Sequence, residues 1–594
     1  MRTRPIRRAT GAVWQGQRWY TRVATLVLIL YSAGHLGLLL LNAVRVPPTY
    51  GYDWPGHLTY LYHVADSWRP PPPAVSAGFH NTPIYYYCVA TLHRAAGVPL
   101  LYAGLVLNFG LALLTFGLWL SLSWRLWDGD PVPVAWSVVL YVCQPAVYRT
   151  FGMVRPEALL MPLFTIAGWL VVWASERESH WALIGAGGGL LAGLAFGTRQ
   201  WGAFLAAALG IWMVLREPGR LWQSARRWGS VSLHALLFVA LSWWSLSLRG
   251  GGPLDFNTSP HRPDVSFWIR LGVPEILRNP VRPVLGNTFW PVLYADAWGD
   301  YWRYWREALM HDPLSSSPAT VAALSRGLWA ALPVTSLIVV GWWSGPVSGA
   351  TRRDFHRWTR ILTLVAVGGY ALFSGMYADP SKGDTVKAVY LAYLAPYLAW
   401  LGASAASRLR DAVAWGAGVA WLSLVLITVF VLPTAVYVAP ERMQSHTWGE
   451  PDLDHRLMGE FGEAITLVGY RDLCWDVESG ELVVDLVWRA DGYSGRSYKV
   501  FVHLVSSEEH LLAQSDAIPA QWHRPTEAWM LGEYVEDGHR LKVTEPRVVS
   551  GGALRVGVYD KLDGSRLELD DGEVYVSVAV PASLAQCGVD PDTH

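Results

Sequence analysis

Apolar segments close to the length of a membrane-spanning helix recur from Thr21 to Leu432. A helix that crosses the hydrocarbon core of a bilayer needs about 20 predominantly apolar residues. The candidate segments are Thr21–Ala43, Leu101–Leu122, Val132–Tyr148, Ala158–Ala174, Ala182–Leu215, Val231–Leu248, Thr320–Trp343, Ile361–Met376, Ala388–Ala403 and Ala412–Leu432. This pattern predicts a polytopic α-helical membrane protein.

The segment Ala182–Leu215 is too long for one span, and the polar residues Thr198, Arg199 and Gln200 interrupt it. We therefore expect two short helices joined by a polar tip, which gives about 11 transmembrane helices. The composition agrees, because 52% of the residues are hydrophobic, 16% are charged, and the 34 Trp and 27 Tyr suit membrane–water interfaces. A formal net charge of zero offers no basis for nucleic-acid binding.

The arginines predict how the chain is threaded through the membrane, because cytoplasmic loops carry an excess of Lys and Arg. Arginine-rich stretches are residues 2–8, 216–227, 352–360 and 408–410. They predict a multi-pass protein of the plasma (inner) membrane with a cytoplasmic N-terminus, and no small-residue cleavage site follows the first basic stretch. The predicted extracytoplasmic parts are loops 44–83 and 249–319, connections 149–157, 198–200 and 377–387, and everything after Leu432.

The C-terminal region has a different periodicity. Short, alternating, β-rich segments separated by turn signals are Glu481–Trp488, Tyr498–Val505, Leu511–Ile518, Tyr534–Val543, Ala553–Asp560 and Val574–Val580. Strands of this kind predict an all-β sandwich. We expect a transmembrane domain over 1–437, a linker over 438–460 and an extracytoplasmic β-sandwich over 461–594. Its Cys474 and Cys587 could pair in an oxidising compartment.

The first outer loop contains Asp53, a candidate general base that could accept a proton from an acceptor hydroxyl. The alternative is that Asp53 caps a helix, since Pro55 follows two residues later. His57 lies four residues on and would share a helical face with Asp53. Asp53 and His57 are therefore also candidate ligands for a divalent metal ion, although structural zinc sites use four ligands.

Four cations at predicted outer span ends are candidates for binding a phosphate. Arg155, Arg199, Lys382 and Lys387 lie there, and the chain has only five Lys against 42 Arg. Arginine is suited to bidentate phosphate contact. The alternatives are side chains that reach the lipid headgroups, a solvated loop, and a Glu157 that caps the next helix.

The second large outer loop contributes Asp296 and Asp300 among Tyr and Trp residues. Acids and aromatics could contact the hydroxyls and rings of a sugar. They are equally consistent with an amphipathic helix that lies on the bilayer surface.

In their order and shared membrane side, these residues resemble the GT-C superfamily of membrane glycosyltransferases. They are most similar to the bacterial relatives of the dolichyl-phosphate-mannose protein mannosyltransferases and to the lipid A aminoarabinose transferase. The matching residues are Asp53 with Gly56-His57, Asn81-Thr82-Pro83-Ile84-Tyr85-Tyr86, Arg155-Pro156-Glu157, Asp296-Ala297-Trp298-Gly299-Asp300, and Lys387 with Tyr390 and Pro396.

The C-terminal region also resembles a module appended to such bacterial proteins. The residues that carry this likeness are Tyr498-Lys499-Val500-Phe501-Val502-His503-Leu504, Gln514-Ser515-Asp516, Pro525-Thr526 and Gly557-Val558-Tyr559-Asp560.

The resemblance implies a donor in which the sugar is linked to a polyprenyl phosphate. Asp53 would deprotonate the hydroxyl of a glycan, lipid or protein acceptor, which attacks the anomeric carbon with inversion. The phosphate-binding candidates would be Arg155, Arg199, Lys382 and Lys387, and the supporting residues His57, His80, Asn81, Glu157, Asp296, Asp300 and Tyr390. No cofactor is implied, and a divalent metal ion stays open. Trp54 and Asn81-Thr82 depart from the family pattern. The resemblance therefore identifies neither the sugar of the donor nor whether the reaction uses a metal ion.

Two other functions fit part of the pattern. A transporter or flippase of polyprenyl-linked sugars would also bind the lipid, but it should place ionisable residues near mid-span and often shows internal repeats. A glycan-binding membrane protein could act through the β-domain, where Trp522 and Trp529 could stack on sugars. Such Trp residues are more often part of a core.

Overall fold

The computed structural model divides the chain into two compact units, Met1–Val438 and Ala439–His594. It describes residues 11–45, 54–72, 80–98, 100–177, 180–216, 225–249, 265–271, 277–278, 288–299, 318–345, 348–377, 386–408, 418, 446–447, 449–477, 479–492, 494, 498–520, 526, 529, 532–543, 551–560 and 564–587. The first unit is helical and the second is built from β-strands.

The helices of the first unit are α1 (Gly11–Arg45), α2 (Trp54–Ser67), α3 (Ile84–Ala96), α4 (Leu100–Leu126), α5 (Pro131–Val142), α6 (Pro145–Gly152), α7 (Glu157–Glu176), α8 (Trp181–Thr198), α9 (Gly202–Leu215), α10 (Ala225–Ser247), α11 (Val265–Ile269), α12 (Phe289–Gly299), α13 (Pro318–Ser344), α14 (Ala350–Tyr377) and α15 (Ala395–Ala406). A 3-10 helix (Ala388–Leu394) leads directly into α15.

Within the described residues, eight helices are long and apolar enough to cross a membrane, or nine if α5 and α6 form one bent span. The chain is therefore a polytopic helical membrane protein with an all-β unit after it, as predicted. The hairpin expected at Ala182–Leu215 is confirmed, because α8 ends at Thr198 and α9 begins at Gly202. The predicted span Ala412–Leu432 lies outside the described residues.

The predicted span Val132–Tyr148 is bent. It consists of α5 and α6, whose axes are bent by 57°. Pro145 begins α6, and a proline cannot continue a helix because it lacks the backbone N–H and clashes with the preceding turn. The bend brings Arg149 of α6 into the interior of the unit, where 2% of it is exposed.

Helix α8 packs closely on α10 through glycines spaced four residues apart. A Cβ atom added to Gly185 would lie 2.4 Å from the carbonyl oxygen of Ser230, and one added to Gly189 would lie 2.7 Å from that of His234. Small residues at this spacing let two membrane helices approach until their backbones touch. This packing fixes the end of α8, from which Arg199 projects.

The β-unit consists of two sheets that enclose one core. Its strands are β1 (His446–Thr447), β2 (His455–Phe461), β3 (Ile465–Asp476), β4 (Glu481–Ala490), β5 (Tyr498–Val505), β6 (Leu511–Ala517), β7 (Tyr534–Lys542), β8 (Ala553–Asp560), β9 (Val576–Ala579) and β10 (Ala585–Gln586). One sheet has the order β1-β7-β4-β3-β10 with β2 paired to β3, and the other has the order β6-β5-β8-β9. The apolar residues that alternate along β4 and β8 face this core.

The start of the β-unit differs from the expectation, whereas Trp529 takes the core position that the sequence favoured. Strands β1 and β2 fall largely within the predicted linker 438–460, so the β-unit starts before Phe461. Trp529, considered for stacking on a sugar, is 4% exposed and belongs to the core, and Trp522 lies outside the described residues.

A chain of hydrogen bonds links the two sheets. Ser515 of β6 bonds to Nδ1 of His539 at 3.0 Å, and Nε2 of His539 bonds to Asp537 at 2.9 Å. The carboxylate of Asp537 also accepts from the indole of Trp488 and from the backbone N–H of Ala520. The Asp537 carboxylate is fully buried and accepts hydrogen bonds from three donors. These hydrogen bonds therefore satisfy a buried charge between the two sheets.

The disulfide expected between Cys474 and Cys587 is confirmed, with a sequence separation of 113. It fastens the last described strand, β10, to β3, with which β10 pairs in parallel. Closing so long a loop restricts the unfolded chain, so we expect Cys587→Ser to lower the free energy of unfolding of the β-unit by about 2–5 kcal/mol.

The measurement is chemical denaturation with and without a reductant. Reductant should shift the wild-type transition to that of Cys587→Ser and leave the variant unchanged. Cys88→Ser, which alters a free cysteine of the helical unit, is the control. If neither reductant nor Cys587→Ser changes the unfolding midpoint, the disulfide does not stabilise the β-unit.

Candidate active site

Three cations surround the ring of Tyr390. Arg155 lies in the turn before α7, Arg199 directly follows α8, and Lys387 precedes the 3-10 helix that carries Tyr390. The guanidinium carbons of both arginines are 5.4 Å from the ring centroid, and Nζ of Lys387 is 5.9 Å from it. Each of these cations is at most 5% exposed. The cations predicted from separate sequence segments therefore meet at one place.

Glu157, the first residue of α7, holds the two arginines in position. Its Oε2 is 2.8 Å from Nε of Arg155, and its Oε1 is 3.1 Å from Nε of Arg199. One carboxylate thus contacts two guanidinium groups, and all three side chains are buried. Such a shared pair fixes the direction of both guanidinium planes, because each Arg offers its donors in a rigid fork.

Further hydrogen bonds orient the arginines. Arg155 donates to the hydroxyl of Tyr390 at 3.4 Å, and Arg199 donates to Oδ1 of Asn81. Asn81 is itself held through its backbone carbonyl, which accepts from the hydroxyl of Tyr60 at 3.1 Å. Asn81 therefore supports Arg199 in this structure.

His57 approaches the same region through an aromatic pair. The ring of Tyr60 stacks on that of Tyr86 at 3.9 Å, and the hydroxyl of Tyr86 bonds to Nδ1 of His57 at 2.6 Å. His57 lies in the first turn of α2. The carbonyl of His80 accepts from Arg249 at 2.5 Å, which ties the segment before α3 to the end of α10.

Asp296 has a different environment from the one predicted. It is fully buried, and its carboxylate accepts from Arg149 at 2.9 Å and from the backbone N–H of Ala388 at 2.5 Å. The sequence had left open a contact with a sugar hydroxyl and a position on a helix at the bilayer surface. Instead, Asp296 joins α12 to α6 and to the start of the segment that carries Lys387 and Tyr390, so we assign it a positioning role.

Aromatic side chains missed by the sequence argument enclose Tyr390. The ring of Trp201 is 5.2 Å from that of Tyr390, and the ring of Tyr370 is 5.8 Å from it. The Tyr370 hydroxyl also accepts from the backbone N–H of Lys387 at 2.5 Å. Arg149 was missed too, although it directly follows the predicted span Val132–Tyr148, where an arginine is a known signal of a function or a buried partner.

Three predicted site residues, Asp53, Lys382 and Asp300, lie outside the described residues. Among the residues that the structure does describe, no group of three or more His, Cys, Asp and Glu side chains could hold a metal ion. The described candidate ligand, His57, uses Nδ1 for its bond with Tyr86.

We expect Asp296→Asn to destabilise the helical unit by about 3–5 kcal/mol, because it leaves the buried guanidinium of Arg149 without this carboxylate. The double variant Arg149→Gln/Asp296→Asn removes both charges and should recover most of the loss. Thermal unfolding in detergent measures both. Asp128→Asn is the control, since its pair with Arg352 at 2.5 Å leaves 86% of the Asp128 side chain exposed and should matter less. Equal losses for Asp296→Asn and Asp128→Asn would contradict the assignment.

Comparisons with known proteins found similar solved structures. No family model and no curated sequence matches the chain. ArnT from Cupriavidus metallidurans bound to undecaprenyl phosphate aligns at 12% identity with a TM-score of 0.42, over 70% of this chain and 66% of that chain. The match thus spans slightly less than two thirds of that protein. The apo structure of the same ArnT aligns at 12% identity with a TM-score of 0.45, over 71% and 67%.

ArnT is the lipid A aminoarabinose transferase of the GT-C superfamily, one of the enzymes that the sequence motifs resemble. A likeness at these TM-scores assigns no role to any residue. The roles considered below therefore depend on the contacts within this chain.

Proposed function

We propose that this protein is a membrane glycosyltransferase that uses a polyprenyl-phosphate-linked sugar as donor and an acceptor hydroxyl at the outer face of the membrane. The observation that carries the proposal is the buried cluster of Arg155, Arg199 and Lys387 around Tyr390. Buried cations are expensive in a membrane unless they meet anions, and the phosphate of a lipid-linked donor is an anion that reaches this depth.

The cluster suits the leaving group of the reaction. The acceptor oxygen attacks the anomeric carbon, the bond from that carbon to the phosphate oxygen breaks, and the electron pair stays on the phosphate. Charge therefore accumulates on the phosphate in the transition state. Arg155 and Arg199 are already oriented by Glu157, so they can stabilise that charge without reorganising.

Asp53 is the proposed general base, which takes the proton of the acceptor hydroxyl. It directly precedes α2 in sequence and is four residues from His57. A four-residue stretch spans at most about 14 Å. His57 hydrogen-bonds to Tyr86, and the ring of Tyr86 stacks on that of Tyr60. Tyr60 in turn bonds to Asn81, which accepts from Arg199. This run of contacts supports a base and a phosphate site that serve one reaction.

The position of the cluster favours a transferase over a flippase. Arg155 lies before the first residue of a candidate span, Arg199 follows the last residue of another, and Lys387 precedes the first of a third. A transporter site is expected near mid-span. The arginine-rich loops predict that these span ends lie on the extracytoplasmic side of the plasma membrane, with the N-terminus in the cytoplasm. A site at the membrane surface is within reach of a water-soluble acceptor.

The test is to incubate the purified protein with a panel of polyprenyl-phosphate sugars and simple glycan acceptors. A transferase releases polyprenyl phosphate and forms a new glycoside of inverted configuration. In vesicles, movement of the intact lipid-linked sugar across the bilayer without cleavage would instead identify a flippase. Neither cleavage nor movement with any donor of the panel would overturn the assignment of a lipid-linked substrate.

A further inference from the structure

The outer face of the sheet β6-β5-β8-β9 brings together residues that the sequence had singled out without a role. Alternate residues of β5 point to opposite faces, and Val500, Val502 and Leu504 belong to the core. Lys499, His503 and the ring of Phe501 therefore lie on the outer face. Their cross-strand neighbours on β6 and β8 lie there too.

The register arranges this outer face in rows. Lys499 pairs with Tyr559, Phe501 lies between Asp516 and Gly557, and His503 lies between Gln514 and Arg555. We call these residues, together with Arg566, the β5 face. Arg566 belongs to it because it forms a bridge with Tyr559 and its guanidinium lies 4.7 Å from the ring centroid of Phe501.

Gly557 makes room for the ring of Phe501 within the β5 face, where the carbonyl oxygen of Val574 also approaches. A Cβ atom at this position would lie 2.3 Å from the ring of Phe501, so only glycine lets that ring lie across β8. The ring is in turn flanked by His503, with centroids 4.8 Å apart. Only 2% of Phe501 is exposed, so its ring supports the β5 face from within, and the exposed polar side chains around it are the groups left to contact a ligand.

The polar groups of the β5 face offer both donors and acceptors. Nε2 of His503 is 3.9 Å from Oδ2 of Asp516, and about a quarter of each side chain is exposed. Partial burial, reinforced by Arg566 and Arg555 and opposed by Asp516, lowers the pKa of His503. The imidazole is therefore neutral at pH 7 and presents one donor and one acceptor beside a carboxylate, a pairing that suits the neighbouring hydroxyls of a sugar.

Cations border this face, and aromatic rings orient them. Lys499 lies over Tyr559 at 5.9 Å, Arg566 lies over Phe501 at 4.7 Å, and Arg555 lies over the ring of Tyr575 at 4.8 Å. Arg555 also pairs with Glu509 at 2.7 Å. Counting Asp516 and Glu509 against the three cations leaves the described face with a net charge of +1, or +2 when His503 is protonated.

From this combination we infer that the β5 face binds a glycan that carries negative charges, such as the carboxylates of uronic acid residues. Asp516, His503 and Gln514 would bond to the sugar hydroxyls, and Lys499, Arg555 and Arg566 would attract the carboxylates. The identification of this glycan as the acceptor rests on the proposed function. The binding itself does not, because it concerns a surface of the β-unit alone.

The experiment measures binding to the full-length protein in detergent by isothermal titration calorimetry. The probes are a hexasaccharide of β-1,4-linked mannuronate and the neutral mannohexaose, which have the same number of rings and differ in charge. We expect the uronate probe to bind at least about tenfold more tightly than the neutral one at low salt and to weaken as the ionic strength rises.

The variants are Asp516→Ala, His503→Ala and Arg566→Ala, each expected to weaken binding about fivefold or more. Arg471→Ala is the matched control, since Arg471 forms an exposed pair with Glu536 on strands of the other sheet and should leave binding unchanged. An unchanged unfolding temperature shows that each variant is folded. No binding of the uronate probe at millimolar concentration, equal binding of the neutral probe, or equal loss with Arg471→Ala would overturn the inference. Because no donor is present, a failure of the proposed transferase reaction leaves this test unaffected.

Discussion

Replacing Arg155 by glutamine should lower kcat/KM for the polyprenyl-phosphate sugar by about two to three orders of magnitude, the usual effect of losing one preorganised group that stabilises transition-state charge. Arg155 is one of the two guanidinium groups on Glu157 and donates to the hydroxyl of Tyr390. Without it, the departing phosphate loses one of its cations. The expected loss is in kcat and in donor use, whereas the KM for the acceptor should change little.

Helix α7 provides a matched control for this prediction. It begins with Glu157, which pairs with Arg155, and ends with Glu176, which pairs with Arg125 at 2.7 Å. Arg125→Gln, at the end of α4, therefore removes the arginine partner of the glutamate at the other end of α7, where the arginine side chain is 56% exposed. Such an exposed pair contributes about 0–1 kcal/mol, so activity should stay near wild type.

The variant Arg155→Lys separates charge from geometry. Lysine keeps the positive charge but offers a point charge in place of the planar fork that contacts both Glu157 and Tyr390. We expect activity between that of the wild type and that of Arg155→Gln. Equal losses for donor and acceptor, or wild-type kinetics for Arg155→Gln, would contradict the phosphate site.

The positions of most apolar helices in the described residues were predictable, because a span demands a minimum length of apolar sequence. What the apolar pattern could not predict was where a helix ends once it leaves the membrane. The span predicted to start at Ile361 belongs to α14, which begins at Ala350. Its basic first turns remain helical, and Arg352 donates to the carbonyl of Leu126 at the end of α4.

The β-unit shows a similar limit. Strands β5 and β8 were predicted with their observed bounds, since both are rich in β-branched residues and roughly alternating. Strand β3 was missed, although it has 12 residues. Its pairing with β4 shifts register between Leu467 and Gly469 and again between Tyr470 and Leu473, and each shift breaks the alternation that identifies a strand.

The site was predictable in residue type and only partly in arrangement. Placing an arginine at the end of a span costs free energy unless the arginine has a partner. This cost is the reason why the sequence identified Arg155 and Arg199 as candidates. Their shared partner Glu157 is a near neighbour of Arg155 in sequence. The partner of Asp296 is 147 residues away, and nothing local distinguishes an aspartate that contacts a sugar from one that ion-pairs with Arg149. Long-range pairing of this kind follows only from the packed helices.

Replacing Asp53 by asparagine should lower kcat by about two to four orders of magnitude while the protein still folds, as expected when a general base is lost. The amide of asparagine cannot take the proton of the acceptor hydroxyl. Donor binding should persist, because Arg155, Arg199 and Lys387 are unchanged. The measurement is steady-state turnover with saturating donor and acceptor, together with the binding of polyprenyl phosphate to the variant. Asp66→Asn, near the other end of α2, is the control and should keep full activity.

This substitution also separates the two interpretations of Asp53. Asparagine caps a helix about as well as aspartate, whereas alanine does not and costs about 1 kcal/mol of stability. If Asp53 only capped α2, Asp53→Asn would behave as wild type and Asp53→Ala would be less stable. If Asp53 is the base, both variants are equally inactive, and only Asp53→Ala also unfolds at a lower temperature. Near-normal turnover of Asp53→Asn would show that Asp53 only caps α2. The general base would then have to be another carboxylate of the outer loops.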